Sequence, residues 1–251
     1  MATLTVVTLT LNEERNIAEC LETVRWADQI IVVDSGSTDK TVPLARTFTP
    51  DIITIAWKGY GHARNRALEQ AKGDWILWLD ADERVTPELG EEIRQVVRDD
   101  PQDLSGFDLA RRAYFLGKWI RHCGWYPGRI VRLFRRGRAH FSETKVHEQL
   151  SLDGSPGHLK NDLLHFTDGD LDHYFKKFNT YTSLAAEDLL SRGRSAGLTD
   201  LVFRPPFTFL RMYIFRLGFL DGVHGLILCV VSSAYVFVKY AKLWDLARTS
   251  R

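Results

Sequence analysis

The stretch "DWILWLDADE", residues 74–83, carries five apolar or aromatic residues in a row and then three carboxylates in four positions. An apolar run of this length, set off by Gly73, predicts a buried strand. Strand side chains alternate between faces, so Asp80 and Asp82 are expected to point the same way, with Ala81 opposed and Glu83 just behind. Two carboxylates on one face at a strand end make a hard-oxygen site for Mg²⁺ or Mn²⁺, with positions left for water and for the oxygens of a diphosphate. An Asp-x-Asp alone occurs in many surface loops; its place after a buried strand gives it weight.

Upstream, "LTVVTLT" (4–10), "QIIVVD" (29–34) and "DIITIAW" (51–57) also have the length and composition of buried strands. Between them, "NEERNIAECLETVRWA" has helical spacing through Ile17, Cys20, Leu21 and Val24, "SGSTDKT" turns into a short helix, and "GHARNRALEQAKG" reads as a helix ended by Gly73. Strand and helix alternate. This predicts an α/β fold of right-handed βαβ units on a mixed, mainly parallel sheet with helices on both faces. Ligands of such sheets lie beyond the carboxyl ends of the strands, where Asn12, Glu13, Asp34, Asp80 and Asp82 should line one crevice.

Thr86 is placed as an N-cap with Pro87 behind it, opening a helix over "PELGEEIRQVVRDD". Further on, "GFDLARRAYFLGKWI" and "GRIVRLFRRGR" read as strands with basic outer faces in a less regular, antiparallel half. "LDHYFKKFNTYTSLAAEDLLSRG" reads as a helix. The expected division is a catalytic domain over 1–165, with a nucleotide-binding half (1–90) and an acceptor half (91–165), and a helical extension over 166–251.

The 251 residues carry 33 Lys+Arg against 32 Asp+Glu, a balance that gives no support for nucleic acid as a partner. The C-terminal stretch from Arg204 differs, with seven basic residues and only Asp221 and Asp245 as acids. It holds the uncharged run "GVHGLILCVVSSAYVFV", shorter than the ~20 apolar residues of a spanning helix. Aromatic and basic flanks suit helices lying in a membrane interface over 204–242; a core or dimer-interface helix fits the same run. Three widely spaced cysteines without metal-ligand spacing, and a first strand in place of a leader, predict a cytoplasmic protein.

Taken singly, the crevice residues have bland readings too. Asp34 reads as a partner for a base or ribose or as a cap, and Lys58, Gly59, Gly61, Arg64 and Asn65 as an anion site at a helix N-terminus or as an ordinary loop. Taken together, "TLNEERNI", "VVDSGSTDKT", "GHARNRAL" and "WILWLDADE" resemble the nucleotide-sugar-binding half of the family 2 inverting glycosyltransferases with the GT-A fold. The resemblance implies that Thr8, Asn12, Glu13, Asp34, Arg64, Asn65 and Asp80 serve the donor and that Asp82 with Asp80 holds a divalent metal. It also implies transfer by single displacement.

Such a displacement needs a base for the acceptor hydroxyl. "FSETKVHEQL" (141–150) resembles the corresponding stretch of enzymes that glycosylate inner-core heptose of lipopolysaccharide. On that likeness Glu148 is the base and Glu143 the reserve. His147 is a candidate for the metal or diphosphate, or a structural hydrogen-bonding residue. Later segments, "YPGRIVRLFRR" and the last fifty residues among them, extend the likeness over nearly the whole chain. Gly128 departs from it, standing where those enzymes commonly have an acidic or polar residue. Arg129, Arg132 and Arg135 read as phosphate contacts or as a solvated basic face. The implied partners are UDP-glucose and a lipid-linked oligosaccharide, on the inner face of the cytoplasmic membrane, with a homo-oligomer possible. A polyprenyl-phosphate glycosyltransferase and a non-catalytic nucleotide-sugar-binding module are the competing readings.

Overall fold

The computed structural model describes residues 1–55, 60–141 and 150–249, with the side chains of one helix from Arg64 onward. The chain forms two compact units, Met1–Arg111 with Arg129–His165, and Arg112–Gly128 with Phe166–Arg251. Residues 112–128, assigned to the acceptor half from sequence, thus group with the C-terminal helices.

The elements in chain order are β1 (Leu4–Thr10), α1 (Ile17–Glu22), β2 (Gln29–Asp34), α2 (Thr41–Ala45), β3 (Ile52–Thr54), α3 (Tyr60–Gln70), β4 (Trp75–Asp80), β5 (Glu83–Val85) and α4 (Pro87–Asp99). Then follow β6 (Gly106–Phe115), β7 (Lys118–Trp119), β8 (Gly128–Arg135), β9 (Ala139–Phe141), β10 (Leu150–Leu152), β11 (Pro156–His158) and β12 (Leu163–Asp168). The remainder is helical: α5 (Leu171–Ser191), α6 (Leu198–Val202), α7 (Arg204–Leu210), a π-helical turn (Arg211–Phe215), a 3₁₀ turn (Gly218–Asp221) and α8 (Gly222–Thr249).

The main sheet has the order β3-β2-β1-β4-β8-β6-β12-β5, and β9 pairs separately with β10. β1 is central to the parallel part, flanked by β2 and β4, as the βαβ reading predicts. β8 then joins β4 antiparallel, which begins the less regular half. Alternation along β4 divides its side chains between two cores. Trp75, Leu77 and Leu79 face α1 and α4, while Ile76 and Trp78 face Ala67 of α3 and Ala71 just after it. Gly73 lets β4 enter beside β1, because a Cβ there would lie 2.5 Å from the Thr5 backbone nitrogen.

Some boundaries differ from expectation. α1 covers only Ile17–Glu22 of the helix read over 12–27, since its first residues are drawn into loop contacts. β3 ends at Thr54. The alternation argument for Asp80 and Asp82 also needs correction, because β4 stops at Asp80 and Asp82 occupies the tight turn before β5.

In the second unit, α8 with the 3₁₀ turn before it spans Gly218–Thr249, long and apolar enough to cross a membrane by length and composition. The apolar run is therefore only the first part of a longer helix. Its buried residues include Gly225, Leu228, Cys229 and Leu243. The exposed large residues Val223, Leu226, Val230, Phe237 and Trp244 recur one or two helical turns apart and form an apolar stripe.

Thr86 caps α4 as expected, its hydroxyl accepting from the Leu89 backbone nitrogen at 3.2 Å, and Leu89, Ile93 and Val97 bury one face of the helix. Thr86→Ala should lower stability by about 1 kcal/mol, a melting shift of about 3 °C, with secondary structure unchanged. Calorimetry of the two proteins checks this.

Candidate active site

β1, β2 and β4 end together. Thr10 of β1 lies opposite Asp34 of β2, and Leu9 lies opposite Asp80 of β4. Asp34 and Asp80 therefore stand one strand apart on the same sheet edge, about 10 Å between backbones at the usual strand spacing.

Asp34 is 3% exposed and accepts from the backbone nitrogens of Gly36 and Ser37 at 3.0 and 3.1 Å. It organises its own turn rather than capping α2. Asn12, in the left-handed region at φ 54, ties this turn to the β1–α1 loop. Its side-chain oxygen accepts from the Thr38 backbone at 2.8 Å, and its backbone nitrogen donates to the Ser37 hydroxyl at 2.9 Å. Glu13 donates its backbone N–H to Thr41 Oγ1, and its carboxylate accepts from Asn16. Asn12 and Glu13 thus build the rim around Asp34. Thr8 is wholly buried within β1, and its hydroxyl has no hydrogen-bond partner among the described residues.

At β4 the carboxylates meet arginines. The Arg132 guanidinium of β8 donates to Asp80 in a very short bond and to Glu83 Oε1 at 2.6 Å. Arg132 is 6% exposed and Glu83 fully buried. Glu83 Oε2 accepts from the Asp80 backbone nitrogen at 3.0 Å, and Arg111 Nη1 lies 3.8 Å from Glu83 Oε1. Arg64 of α3 packs over Trp78 and Phe141, 5.1 and 5.0 Å from their ring centres, with a nitrogen 3.9 Å from Asp80. Trp78 Nε1 donates to the same Asp80 oxygen at 3.1 Å.

These surroundings set the charges. Burial disfavours the Asp80 carboxylate, but Arg132 and Arg64 outweigh it and hold its pKa well below the usual carboxylate range. Glu83 shifts upward, because burial and the nearby Asp80 charge together exceed the help it has from Arg132. Arg111 is lowered by burial and by the like charge of Arg132. Arg132 itself is held as a cation.

Asp82 has different company. Its carboxylate lies 3.5 Å from Nε2 of His165, and the two side chains are 16% and 17% exposed. His165 comes from β12, where it pairs opposite Glu83 of β5. Asp80 is engaged by guanidiniums, whereas Asp82 and His165 offer a hard oxygen and an imidazole nitrogen, a donor pair that suits a transition metal such as Mn²⁺ better than Mg²⁺. Among the described residues no group of three or more such side chains converges. Sequence spacing gave no sign of His165, 83 positions from Asp82.

Other expectations also change. Asn65 exchanges two hydrogen bonds of 3.0 Å with the Phe141 backbone, so its amide anchors β9. Arg129 pairs with Asp108, and Arg135 with Asp100 and two backbone carbonyls, so the basic strand face is largely answered within the protein. Gly128 is required locally, since a Cβ would lie 2.7 Å from the Trp125 carbonyl oxygen. Glu143, His147 and Glu148 lie outside the described residues, as do Lys58 and Gly59.

A parallel sheet with Asp34 and Asp80 at its carboxyl edge, Asp82 in the turn beyond and an antiparallel half alongside is the architecture expected of the GT-A fold. The chain belongs to glycosyl transferase family 2, whose model matches residues 5–149. It is 32% identical over 243 residues to the lipopolysaccharide core biosynthesis glycosyltransferase LpsC of Rhizobium meliloti, covering 94% of this chain and 89% of that one. An uncharacterized glycosyltransferase of Rickettsia typhi is 28% identical over 97% of this chain and 87% of its own. Among solved structures, TarS 1–349 of S. aureus superposes with a TM-score of 0.48 at 15% identity, covering 99% of this chain and 92% of that one. The protein is a glycosyltransferase, and inversion is the mode of its family.

The low pKa of Asp80 gives a pH signature. As pH falls below about 4, the unfolded chain takes up this proton before the folded one does, so the contribution of Asp80 fades. Asp80→Asn should reduce stability by about 2 kcal/mol at pH 7. The gap that this substitution opens should stay constant down to about pH 5 and narrow towards pH 3. Glu83 works in the opposite sense and is raised in part by the Asp80 charge, so the comparison is made in a Glu83→Gln background, where only Asp80 differs. Melting temperatures across pH 3–7 measure the difference, and a gap that widens in acid would contradict the assignment.

Proposed function

We infer that the enzyme moves a sugar, glucose from UDP-glucose, onto a hydroxyl of a lipid-linked lipopolysaccharide core saccharide, with inner-core heptose as the receiving sugar. The observation that carries the donor half is the placement of Asp34 and Asp80 at the carboxyl ends of the two strands that flank β1. Asp34 receives base or ribose at the rim built by Asn12 and Glu13. Asp80, kept ionised by Arg132 and Arg64, accepts hydrogen bonds from the donor. Likeness to LpsC supports the lipopolysaccharide-core acceptor. Glucose and heptose rest on the likeness of the "KVHE" region to the heptose-modifying enzymes.

Asp82 and His165 would hold the divalent metal. When bound, it offsets the charge of the leaving diphosphate. The remaining requirement is a base on the face opposite the leaving group, and Glu148 is assigned to it with Glu143 in reserve. A carboxylate there takes the acceptor proton as the oxygen attacks the anomeric carbon, so one displacement inverts that centre.

The second unit supplies membrane contact. Exposed Phe203, Phe207, Phe215, Phe219, Phe237 and Trp244 stand among Arg204, Arg211, Arg216 and Lys239, a combination suited to an anionic bilayer surface. The opposite side of α8 is tied to α5, where Lys242 donates to the Asn179 carbonyl, Thr182 and Ser183, and Tyr235 to the Tyr181 carbonyl. A spanning α8 would have to break these bonds or draw charged α5 into the bilayer, so we place it flat in the inner-leaflet interface.

Two measurements test this reading. UDP and UDP-glucose should raise the melting temperature in the presence of Mn²⁺, and chelator or Asp82→Ala should remove most of the shift. Glu148→Gln should keep that shift and lose transfer by at least about a hundredfold, the range of general-base catalysis. Loss of transfer in Glu143→Gln but not in Glu148→Gln would move the base to Glu143. No response to any nucleotide would favour a non-catalytic module. The protein should also float with vesicles containing phosphatidylglycerol and not with phosphatidylcholine alone, and Phe237→Glu with Trp244→Glu should abolish flotation. Resistance to alkaline extraction would instead indicate a spanning helix.

A further inference from the structure

Between Asp108 and Glu143 the sequence has nine lysines and arginines and no acid. Arg111 and Arg132 answer to Glu83 and Asp80, Arg129 to Asp108 and Arg135 to Asp100. Arg112 and Arg121 meet at an aromatic ring. Both pack on one indole, their guanidinium carbons 5.0 and 4.3 Å from the ring centre of Trp119. Arg121 is exposed and has no carboxylate partner among the described residues.

The β6–β7 hairpin explains the cluster. Trp119 pairs opposite Tyr114, and Arg112 lies two residues before Tyr114, on the same face of β6. Ala113 and Phe115 take the other face, and they and Ile120 are buried. The outer face is thus aromatic and basic where a solvated sheet face is ordinarily polar. Tyr114 stacks on Phe166, with centroids 4.9 Å apart and planes 20° from parallel, and Phe166 is 38% exposed. Tyr126 meets Trp119 edge-on at 5.5 Å.

Guanidinium groups recognise phosphate and carboxylate oxygens through paired hydrogen bonds. Flat aromatic faces accept the C–H face of a pyranose ring. A free phosphate would use only the arginines and a neutral sugar only the rings. We propose that Arg112, Tyr114, Trp119, Arg121 and Phe166 form a binding subsite for a phosphate-bearing saccharide. As the charged sugar of the acceptor, this ligand deepens the acceptor reading given above; its binding does not depend on the donor site. The indole fixes two guanidiniums in advance, which reduces the side-chain ordering that binding requires.

The test is a nuclear magnetic resonance titration of the ¹⁵N-labelled full chain with glucose 6-phosphate, glucose and inorganic phosphate, read at the indole N–H and arginine Nε–H signals. Trp119→Phe identifies the Trp119 signal by its loss. Glucose 6-phosphate should shift the Trp119 and Arg121 signals at a concentration at least about fivefold lower than glucose or phosphate requires. Arg121→Gln, an exposed change, should weaken that binding about tenfold and leave the UDP-dependent rise in melting temperature unaltered. Equal response to inorganic phosphate, no movement at Trp119, or binding indifferent to Arg121→Gln would each overturn the proposal. Sugar phosphate binding without any UDP response would sink the donor reading while the subsite stands.

Discussion

The site depends on one buried cation. Arg132 reaches from β8 to Asp80 and Glu83 together, and without it two carboxylates at the end of β4 would repel one another beside a hydrophobic core. Burying such charges is unfavourable unless the geometry satisfies them, and here guanidinium, backbone amide and indole nitrogen all contribute. The same contact explains why the antiparallel half is needed at all. β8 pairs with β4, and Arg111 of β6 approaches Glu83 as well, so strands far apart in sequence are held to one edge by charge.

Around this centre, polar residues that look available for ligands are largely committed to the fold. Asn12 and Glu13 join two loops, Asn65 anchors β9, and Arg129 and Arg135 answer local acids. Where strands end, the backbone leaves donors and acceptors unpaired, and nearby side chains satisfy them first. What then remains for a ligand is narrower and more specific. Asp34 lies at the rim, Asp82 faces His165, and Asp80 is held ionised by Arg132 and Arg64.

The second unit uses a different logic. Its core gathers around Phe115, Cys123, Leu228 and Cys229, and buried Asp221 accepts from the backbone nitrogens of Arg121 and His122. Close packing at Gly218 and Gly225, where a Cβ on Gly225 would lie 2.0 Å from the Gly218 carbonyl, brings the 3₁₀ turn against α8. This leaves one helix face apolar and open, and an outer hairpin face carrying arginines on aromatic rings.

Periodicity in the sequence by itself determined the parallel sheet, the two-sided core, the Thr86 cap and the long α5, because these follow from side-chain spacing over a few residues. Motif order likewise identified the family and brought Asp34, Asp80 and Asp82 into the argument. Only the tertiary structure decided which partners those residues meet. β4 ends at Asp80, before the alternation can reach Asp82, and the pairing of Arg132, Arg111 and His165 with carboxylates depends on strand order and register. An ion pair across the sheet leaves no periodic trace in the chain, since its energy depends on distance and burial and not on separation in sequence.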